Sequence, residues 1–461
     1  MNSVHRLILI SFLLLMPFSF TAADESVSAD TTDDKTSEEK EELISLTEER
    51  RETLKYGIDS EVITLIEKIT EEEDAIYAED VAKIYDQTTN SAIMDAAVDY
   101  FIKIDYGEAA ESAAVRIENW EDESFNTLQA SLRYYSAYPG EDAEDVIFQL
   151  VDHDTKTLAS AALTALGKCG SEKSVDPLLD LLDDDDYYDE LKPTIIRALG
   201  EIGSEQALDT LIDILDDVDE EKSWRWTACE ALGKIGHVDA LPVVKNALQD
   251  SDTYLRSYAV KALASFEGED IEATLIQSLR DSFWRVRVSA AEALGEMQSS
   301  DAVDILIYKA KKDPENNVKL AAVKALGEIG DATAIEFLQE LYKKSNTNQS
   351  VRTMAAQIII EKDIKGSLEV ITGVLNEEWE KDSSPVLSYT CQFLSKTEHS
   401  GLASLFEMML NHKDVAIKIY GIRGIQLNGL KTMNERLEQL TDEKVNNAVR
   451  KAALGALEQL E

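Results

Sequence analysis

The motif ALGEIG (198–203) returns along the chain as a family of related six-residue segments: ALGKCG (165–170), ALGEIG (198–203), ALGKIG (231–236), ALASFE (262–267), ALGEMQ (293–298) and ALGEIG (325–330). The leucines of these segments follow one another at intervals of 33, 33, 31, 31 and 32 residues. A period in this range is typical of solenoids, in which small structural units stack and each contacts only its neighbours. The sequence therefore predicts a repeat protein.

The same period continues more loosely on both sides of these segments. We call the Leu of each segment, and its equivalent in other repeats, the register residue. The register residues are Ile69, Phe101, Tyr134, Leu166, Leu199, Leu232, Leu263, Leu294, Leu326, Ile359, Leu394, Ile425 and Leu457. This spacing predicts twelve or thirteen units.

Each unit reads as a pair of helices. In the six quoted segments the register residue is preceded by Ala, so one helical face is small and apolar, which allows close helix packing. A second apolar stripe comes before it, as in VDPLLDLLD (175–183), QALDTLIDILDD (206–217) and AVDILIYKAKK (302–312). We expect both glycines of the motif to mark the end of the second helix, where Gly tolerates positive φ.

Composition agrees with an all-α fold. The 461 residues include only 20 Gly and seven Pro, which excludes collagen-like and Pro/Gly-rich low-complexity chains and disfavours a turn-rich all-β protein. The prediction is an all-α, right-handed α-solenoid (superhelix) of about 12 helix pairs.

Charged residues also recur with the repeat. Cations lie seven residues before the register residue, at Lys192, Arg225, Arg256, Arg287, Lys319, Arg352, Lys418 and Arg450. Six residues before these cations come Asp186, Asp219, Asp250, Asp281, Asp313 and Asn346. We expect a structural ladder, in which each cation begins a second helix and reaches a turn acid or turn carbonyl of its own or an adjacent unit. An anion-binding stripe is the alternative.

The pattern of Asp, Arg and ALGxxG at a period near 32 resembles HEAT repeats of the phycobilisome-lyase (PBS lyase) HEAT-like type. The resemblance covers well-defined repeats at 155–360 and divergent C-terminal repeats at 361–461. It is weaker at 58–154, where the Gly and the cation are missing. It implies that first helices form the convex surface, that second helices line the concave one, and that the chain is a binding scaffold.

Two enzymes with this type of repeat differ from this chain in their motifs or their compartment. Deoxyhypusine hydroxylase builds its di-iron site from His-Glu dipeptides, but none of the five His here is followed by Glu. Bilin lyases act on cytoplasmic phycobiliproteins, and a chain that is expected to be exported would be in the wrong compartment for that activity. GxSxG, HExxH and GxxxxGK[ST] motifs are also absent from the sequence. We therefore expect no enzymatic activity, catalytic residue, metal or cofactor.

The N-terminal residues have the pattern of a targeting sequence. Residues 1–23 carry a short basic start, an apolar run and small residues before Ala23, as in a secretory signal peptide. An acidic linker at 24–42 is expected to be disordered, and a capping helix is expected at 43–57. The mature chain is expected to be periplasmic or extracellular, without insertion into a membrane.

Three cysteines, Cys169, Cys229 and Cys391, lie in apolar helical patterns without metal-like spacing. We expect them to be small core residues. The sequence leaves open whether two of them form a disulfide across neighbouring repeats.

The net charge of −45 disfavours binding to nucleic acid or to anionic lipid. The charge is unevenly distributed: residues 24–222 hold 55 acidic and 16 basic residues, and residues 223–461 hold 35 and 28. An acidic N-terminal half speeds association with a basic partner in a salt-dependent way. Simple solubility is the alternative explanation.

Aromatic residues recur between the paired helices of successive units and are candidates for a partner-binding ridge: Tyr187, Tyr188, Trp224, Trp226, Tyr254, Phe283 and Trp284. Aromatic side chains dominate binding hot spots. The alternative is that these rings pack over the helix ends beneath them.

The sequence thus predicts a non-catalytic, exported scaffold that binds a protein or peptide. Two alternatives stay open: an accessory or lyase-type protein acting on a prosthetic group, and a periplasmic assembly or chaperone-like factor. The partner, the face that binds it and the oligomeric state do not follow from the sequence.

Overall fold

The computed structural model describes residues 37–140, 142–184, 186–268, 270–381 and 383–460. In these residues all regular structure is α-helical or 3-10 helical, and no strand occurs. The all-α prediction is confirmed. The expected signal peptide at 1–23 and most of the expected linker lie outside the described residues.

The α-helices are α1 (Ser37–Tyr56), α2 (Asp59–Glu71), α3 (Ala78–Gln87), α4 (Ser91–Lys103), α5 (Ala110–Glu118), α6 (Phe125–Ala137), α7 (Ala143–Phe148), α8 (Lys156–Cys169), α9 (Glu172–Asp183), α10 (Lys192–Ile202), α11 (Leu208–Asp216), α12 (Lys222–Ile235), α13 (Leu241–Ala247), α14 (Thr253–Leu263), α15 (Ile271–Ser278), α16 (Trp284–Glu296), α17 (Val303–Lys312), α18 (Asn316–Ile329), α19 (Ala332–Lys343), α20 (Gln349–Glu378), α21 (Pro385–Leu394), α22 (Ala403–Leu410), α23 (Val415–Leu427), α24 (Asn434–Gln439) and α25 (Asn447–Leu460).

Short 3-10 helices precede several of these helices: Ala75–Tyr77, Trp120–Asp122, Asp189–Leu191, Glu205–Ala207, Val238–Ala240, Ser300–Ala302, Ser400–Leu402 and Lys431–Met433.

Consecutive helices pack as pairs, beginning with α1 against α2 and ending with α24 against α25. The second helices also stack on one another in order, from α2 on α4 to α23 on α25. Counting each arm of the kinked α20 separately, the described residues form thirteen helix pairs. This is the α-solenoid that the period of the sequence predicts.

The register residues lie where second helices meet their neighbours. Twelve of the thirteen, from Ile69 to Ile425, are fully buried. The exception is Leu457, which is half-buried in α25, the last helix described. One continuous apolar core therefore runs along the solenoid, and it is built from contacts between repeats as much as within them.

The two glycines of the motif have different roles. Gly203, Gly236 and Gly330 have φ of 75°, 67° and 64° and end their helices as predicted. The Gly directly after the register residue lies inside the helix, and the prediction for it was wrong. A Cβ at Gly200 would lie 2.5 Å from Cβ of Ala231 in the next second helix, so this glycine is required by close helix packing.

The helix α20 contains one residue with non-helical backbone, Asp363, at φ −145° and ψ 51°. The helix α20 packs against α19 and against α21, so it takes part in two helix pairs. The kink thus replaces the turn that separates repeats elsewhere in the chain.

The first helix is longer than the expected capping helix at 43–57. It begins at Ser37, inside the expected linker, and it packs against α2 and α3 as the first helix of the first pair. The segment SEEKEE at 37–42 favours this extension, because Glu is a good helix former and acidic residues suit a helix N-terminus.

All three cysteines are free. Cys229 and Cys391 are fully buried, and burial raises the pKa of each thiol to about 12. Cys169 is half-buried, and burial raises its pKa to about 11. These thiols are core residues, and they stay protonated at neutral pH.

Candidate partner-binding surface

Three arginines of successive second helices each bind a turn acid of the following repeat. Asp250 accepts a hydrogen bond of 3.0 Å from Arg225. Arg256 donates two bonds of 2.9 Å to Asp281. Arg287 donates bonds of 2.9 and 2.7 Å to Asp313, and both of these side chains are buried. We call these six residues, Arg225, Arg256, Arg287, Asp250, Asp281 and Asp313, the Arg–Asp ladder.

The same arginines also bind their own repeat. Arg256 donates a 3.0 Å bond to the carbonyl of Asp250, and Arg287 donates one of 3.0 Å to the carbonyl of Asp281. Arg225 binds the Leu215 carbonyl at 3.1 Å. Arg256 and Arg287 thus each connect the turn of their own helix pair to the turn of the next pair, and Arg225 connects the end of α11 to the turn of the next pair.

The electrostatics of the ladder keep its carboxyls ionised. Burial raises the pKa of Asp313, but bonds from Arg287, from the Glu315 amide and from Lys309 outweigh it and hold the pKa below its usual range. The pKa of Asp281 is lowered in the same way, with burial opposed mainly by Arg256 and by the Phe283 amide.

Two acids predicted for the ladder lie outside it. Asp186 and Asp219 are exposed, and among the described residues neither forms an ion pair with a cation. Lys192 instead places its ammonium 5.4 Å from the ring centroid of Trp224 in the next repeat, and 3.7 Å from Asp189. The Trp224 ring thus occupies the place of the missing acid.

Beyond Asp313 the predicted pairing of cations with turn acids is absent at several repeats of the described chain and occurs once more with a different acid. Lys319 and Lys418 form no ion pair within the described part of the chain, and Arg450 binds only Asn447 of its own helix, at 3.0 Å. Arg352 binds the buried carboxyl of Glu378 at 3.0 Å. Sequence reasoning missed Glu378 because it lies one helical turn before the expected position.

Four of the predicted aromatic residues form one continuous group. The ring centroids are 5.5 Å apart for Trp226 and Tyr254, 5.4 Å for Tyr254 and Phe283, and 6.2 Å for Phe283 and Trp284. The group, which we call the aromatic cluster, spans α12, α14 and α16. Its members lie at the starts of second helices, whereas the sequence placed them in turns.

The other three predicted rings do not join this cluster. Tyr187 is buried and donates a 2.9 Å bond to the Val151 carbonyl, and Tyr188 packs on it at 5.4 Å. Trp224 is half-buried beneath Lys192. These rings pack over helix ends, as the alternative interpretation had it.

The aromatic cluster is accessible at its centre. Tyr254 is 43% exposed, and the exposed Arg285 lies 5.5 Å from its ring centroid and 5.0 Å from that of Trp284. The Nε1 of Trp226 is buried and has no hydrogen-bond partner. An unpartnered buried donor costs about 1–3 kcal/mol, so this position is not optimised for stability alone.

A row of apolar residues, which sequence reasoning missed, extends from the cluster along the second helices. Each lies five or six residues before a register residue and is half-buried or exposed: Trp226, Tyr258, Val288, Leu320, Met354, Tyr389 and Tyr420. In the N-terminal repeats the exposed residues at these two positions are Thr64, Asp95 and Gln129. Counting five or six residues back from each register residue would have found this apolar row in the sequence.

The opposite side of the solenoid, formed by the first helices, carries the acidic excess. In α9 and α11 the exposed residues include Asp176, Asp180, Asp209 and Asp213. Among the described residues no group of His, Cys, Asp or Glu side chains is arranged to hold a metal ion. None of the described helices combines the length and the apolar composition of a membrane span.

A family model described as spirochaete HEAT repeat protein matches residues 54–455. No curated protein matches the chain. Among solved structures, the CpcE–CpcF complex of phycocyanin lyase from Nostoc sp. PCC7120 is 19% identical, with 51% of this chain and 94% of that chain covered and a TM-score of 0.33.

Two further solved structures are similar in fold. Human deoxyhypusine hydroxylase is 19% identical, with 57% of this chain and 99% of that chain covered and a TM-score of 0.27. Kap121p bound to Nup53p is 15% identical, with 92% and 54% covered and a TM-score of 0.44. None of these likenesses carries a functional argument.

Proposed function

Because the chain belongs to the spirochaete HEAT repeat protein family, we propose that it is an exported, non-catalytic scaffold that binds a protein or peptide segment along its second helices. The observation that carries the proposal is the accessible aromatic cluster, which continues into the apolar row. Aromatic and arginine side chains are the residue types that most often dominate the energetics of a protein interface.

A fixed frame supports this surface. Arg225, Arg256 and Arg287 connect the turns from which the cluster's helices begin. Side chains held by such a frame lose little conformational entropy when a partner binds, which favours affinity. The cluster is therefore positioned before the partner arrives.

The centre of the surface has the features of an anchor site. Tyr254 is 43% exposed, while Trp226, Phe283 and Trp284 around it are half-buried. Arg285 offers hydrogen-bond donors directly beside the exposed ring. An apolar side chain of the partner packs on Tyr254, and a neighbouring carbonyl or carboxylate accepts from Arg285.

Long-range electrostatics favour a basic partner. The net charge of the chain is −45, and the exposed acids of α9 and α11 lie on the first-helix side, away from the aromatic cluster. These acids speed the encounter with a basic partner without taking part in the apolar contact. The association rate should fall as salt rises, while the aromatic contact sets the dissociation rate.

The proposed export rests on residues 1–23, which have the composition of a secretory signal peptide. N-terminal sequencing of the protein purified from the cells that make it tests this part. A mature N-terminus at Asp24 is expected. An intact Met1 on a cytoplasmic protein would contradict export.

The binding test is an affinity capture with tagged residues 24–461 from the envelope fraction, at low and high salt, followed by mass spectrometry. Wild type is compared with Trp226→Ala and Tyr254→Ala. The matched control is Tyr308→Ala, which removes a 61% exposed tyrosine from α17, a first helix. Helix content of each variant is checked by circular dichroism.

We expect one stoichiometric protein with wild type and with Tyr308→Ala. Each cluster substitution should weaken its binding by about thirtyfold, which corresponds to about 2 kcal/mol for a hot-spot residue. Equal capture by all four proteins would contradict the aromatic surface. A co-purifying pigment or cofactor in place of a protein would favour the accessory or lyase-type function instead.

A further inference from the structure

The Arg–Asp ladder ends at a groove between α17, α18 and α19. At the next ladder position the acid is replaced by Asn346, and the cation is Lys319. The groove is lined by Asn346 and by four lysines, Lys311, Lys312, Lys319 and Lys344, and its lining contains no carboxylate. This is a local reversal of sign in a chain whose net charge is −45.

An equivalent groove in an earlier repeat of the same solenoid can be compared with this one. The corresponding groove two repeats earlier is lined by two cations, Arg256 and Arg280, and by the two acids Asp250 and Asp281. There the guanidinium of Arg256 is bound at 2.9 Å by the carboxyl of Asp281. The carboxylate that completes the earlier groove is therefore missing from the later one.

The lysines of the later groove are not neutralised by the chain to the same extent. Lys319 is half-buried and has no hydrogen bond or ion pair within the described residues. Lys344 reaches Glu340 only at 4.0 Å, and Lys311 lies 4.8 Å from the ring centroid of Phe337. Four ammonium groups line this groove, and like charges that share a groove repel one another unless an anion lies among them.

We propose that this groove binds an acidic peptide segment, one carboxylate of which takes the place of the missing ladder acid beside Lys319. The inference goes beyond the scaffold function and does not depend on it, because none of the four lysines belongs to the aromatic cluster or to the apolar row.

A peptide is favoured over a single small anion by the distribution of the cations. Lys311 and Lys312 end α17, Lys319 lies in α18, and Lys344 follows α19. Ammonium groups on three elements are best neutralised by several carboxylates along one chain, since each ammonium is a compact point charge.

The test uses a short fluorescein-labelled poly-aspartate peptide and fluorescence anisotropy, at an ionic strength of about 0.15 M, where the screening length is about 8 Å and the acidic residues elsewhere on the chain repel the peptide little. The decisive variant is Asn346→Asp, which supplies the ladder acid from the chain itself. Its matched control is Asn317→Asp, the same change at an exposed position of α18 outside the groove.

Asn346→Asp should weaken peptide binding by about tenfold or more, because its carboxyl occupies Lys319. Asn317→Asp should stay within about twofold of wild type, because its carboxylate is exposed to water and does not line the groove, so it cannot take the place of the ladder acid beside Lys319. Lys319→Gln should also lose binding, whereas Lys324→Gln, on the same helix but outside the groove, should retain it.

Four outcomes would overturn the proposal. They are absence of peptide binding to wild type, unchanged binding by Asn346→Asp, equal weakening by both Asn→Asp changes, and binding of inorganic phosphate without binding of the peptide. Thermal melts separate loss of the site from loss of the fold. A Trp226→Ala variant that still binds the peptide keeps this result distinct from the scaffold test.

Discussion

The N-terminal repeats, residues 58–154, and the central repeats, residues 155–360, stabilise the same stacking of helix pairs in different ways. In the N-terminal repeats, buried tyrosines bind the turns that connect successive pairs: Tyr100 donates a 2.7 Å bond to the Asp74 carbonyl, and Tyr134 one of 2.8 Å to the Tyr106 carbonyl. In the central repeats, arginines bind the turns within the pairs. A turn carbonyl needs a partner in either case, but the side chain that supplies it differs.

The packing between second helices differs in parallel. Five of the central repeats carry Gly directly after the register residue, and Gly200 lies against Ala231. The N-terminal repeats carry Thr70, Ile102 and Tyr135 at this position, and their core contains stacked rings, such as Phe101 and Tyr134 with centroids 5.6 Å apart. Large aromatic residues thus fill the space between second helices in the N-terminal repeats. In the central repeats, glycine lets the second helices approach closely, so no such space needs to be filled.

The largest effect should come from breaking the buried ion pair of the central repeats. Arg287→Ala should lower the free energy of unfolding by about 3 kcal/mol, the lower end for a broken buried pair, because Lys309 still faces Asp313. Urea unfolding followed by circular dichroism measures this. Arg197→Ala, at an exposed position of α10, is the control and should change it by less than about 0.5 kcal/mol. Similar losses in both variants would show that the pair is not specially stabilising.

The second-largest effect should come from disturbing the close packing between second helices of the central repeats. Gly200→Ala should cost about 1–3 kcal/mol, because the added Cβ would lie 2.5 Å from that of Ala231 and force the helices apart. Gly373→Ala is the matched control: nothing lies within 4 Å of a Cβ there, so improved helix propensity should stabilise by about 0.5–1 kcal/mol. Equal effects in thermal melts would contradict the close-packing role.

A smaller effect is expected from the N-terminal repeats. Tyr134→Phe removes one hydroxyl that donates to the Tyr106 carbonyl and accepts from the Ala109 amide at 3.1 Å. The expected cost is about 1 kcal/mol. Tyr389→Phe, on a 51% exposed ring, should be neutral. A neutral Tyr134→Phe would mean that ring packing alone stabilises these repeats.

The two regions should respond to pH in opposite directions. The pKa values of Asp281 and Asp313 are lowered in the folded state, so their stabilisation is present above the unfolded value of about 4 and is lost as pH falls. Burial raises the pKa of Tyr100 and Tyr134, so their stabilisation is present below the unfolded value of about 10 and is lost as pH rises.

Two variants test which residues cause the pH dependence of stability. Asp313→Asn should flatten the acid side of the stability–pH curve, and Tyr134→Phe should flatten the alkaline side. The curve is measured by urea unfolding at a series of pH values. Acid and alkaline slopes that stay the same in both variants would contradict the assignment.

Much of this fold follows from the period of the sequence. Register residues such as Phe101 and Leu232 are buried in the structure because helix pairs must cover their apolar stripes with their neighbours. The Asp250 and Asp281 positions were also found from spacing alone, since repeats of 31 residues keep the turns in register.

The sequence could not show where the period is broken. Glu378 follows Arg352 by 26 residues, as Asp313 follows Arg287, but it lies 16 residues before the next register residue, Leu394, instead of 13. The seven predicted aromatic residues look alike in sequence, yet Tyr187 is buried on the Val151 carbonyl and Tyr254 is exposed. Which of these rings is buried and which is exposed depends on the path of each turn, and the spacing of the residues does not specify that path.

Site-specific photo-crosslinking tests the proposed scaffold function most directly. A photoreactive phenylalanine analogue is placed at Tyr254 or at Tyr308 of the full chain, in the cells that make the protein. Both positions are exposed, but they lie on a second helix and on a first helix. We predict one discrete crosslinked protein from position 254 and none from position 308. Crosslinks from 308 alone, or the same products from both, would contradict binding along the second helices.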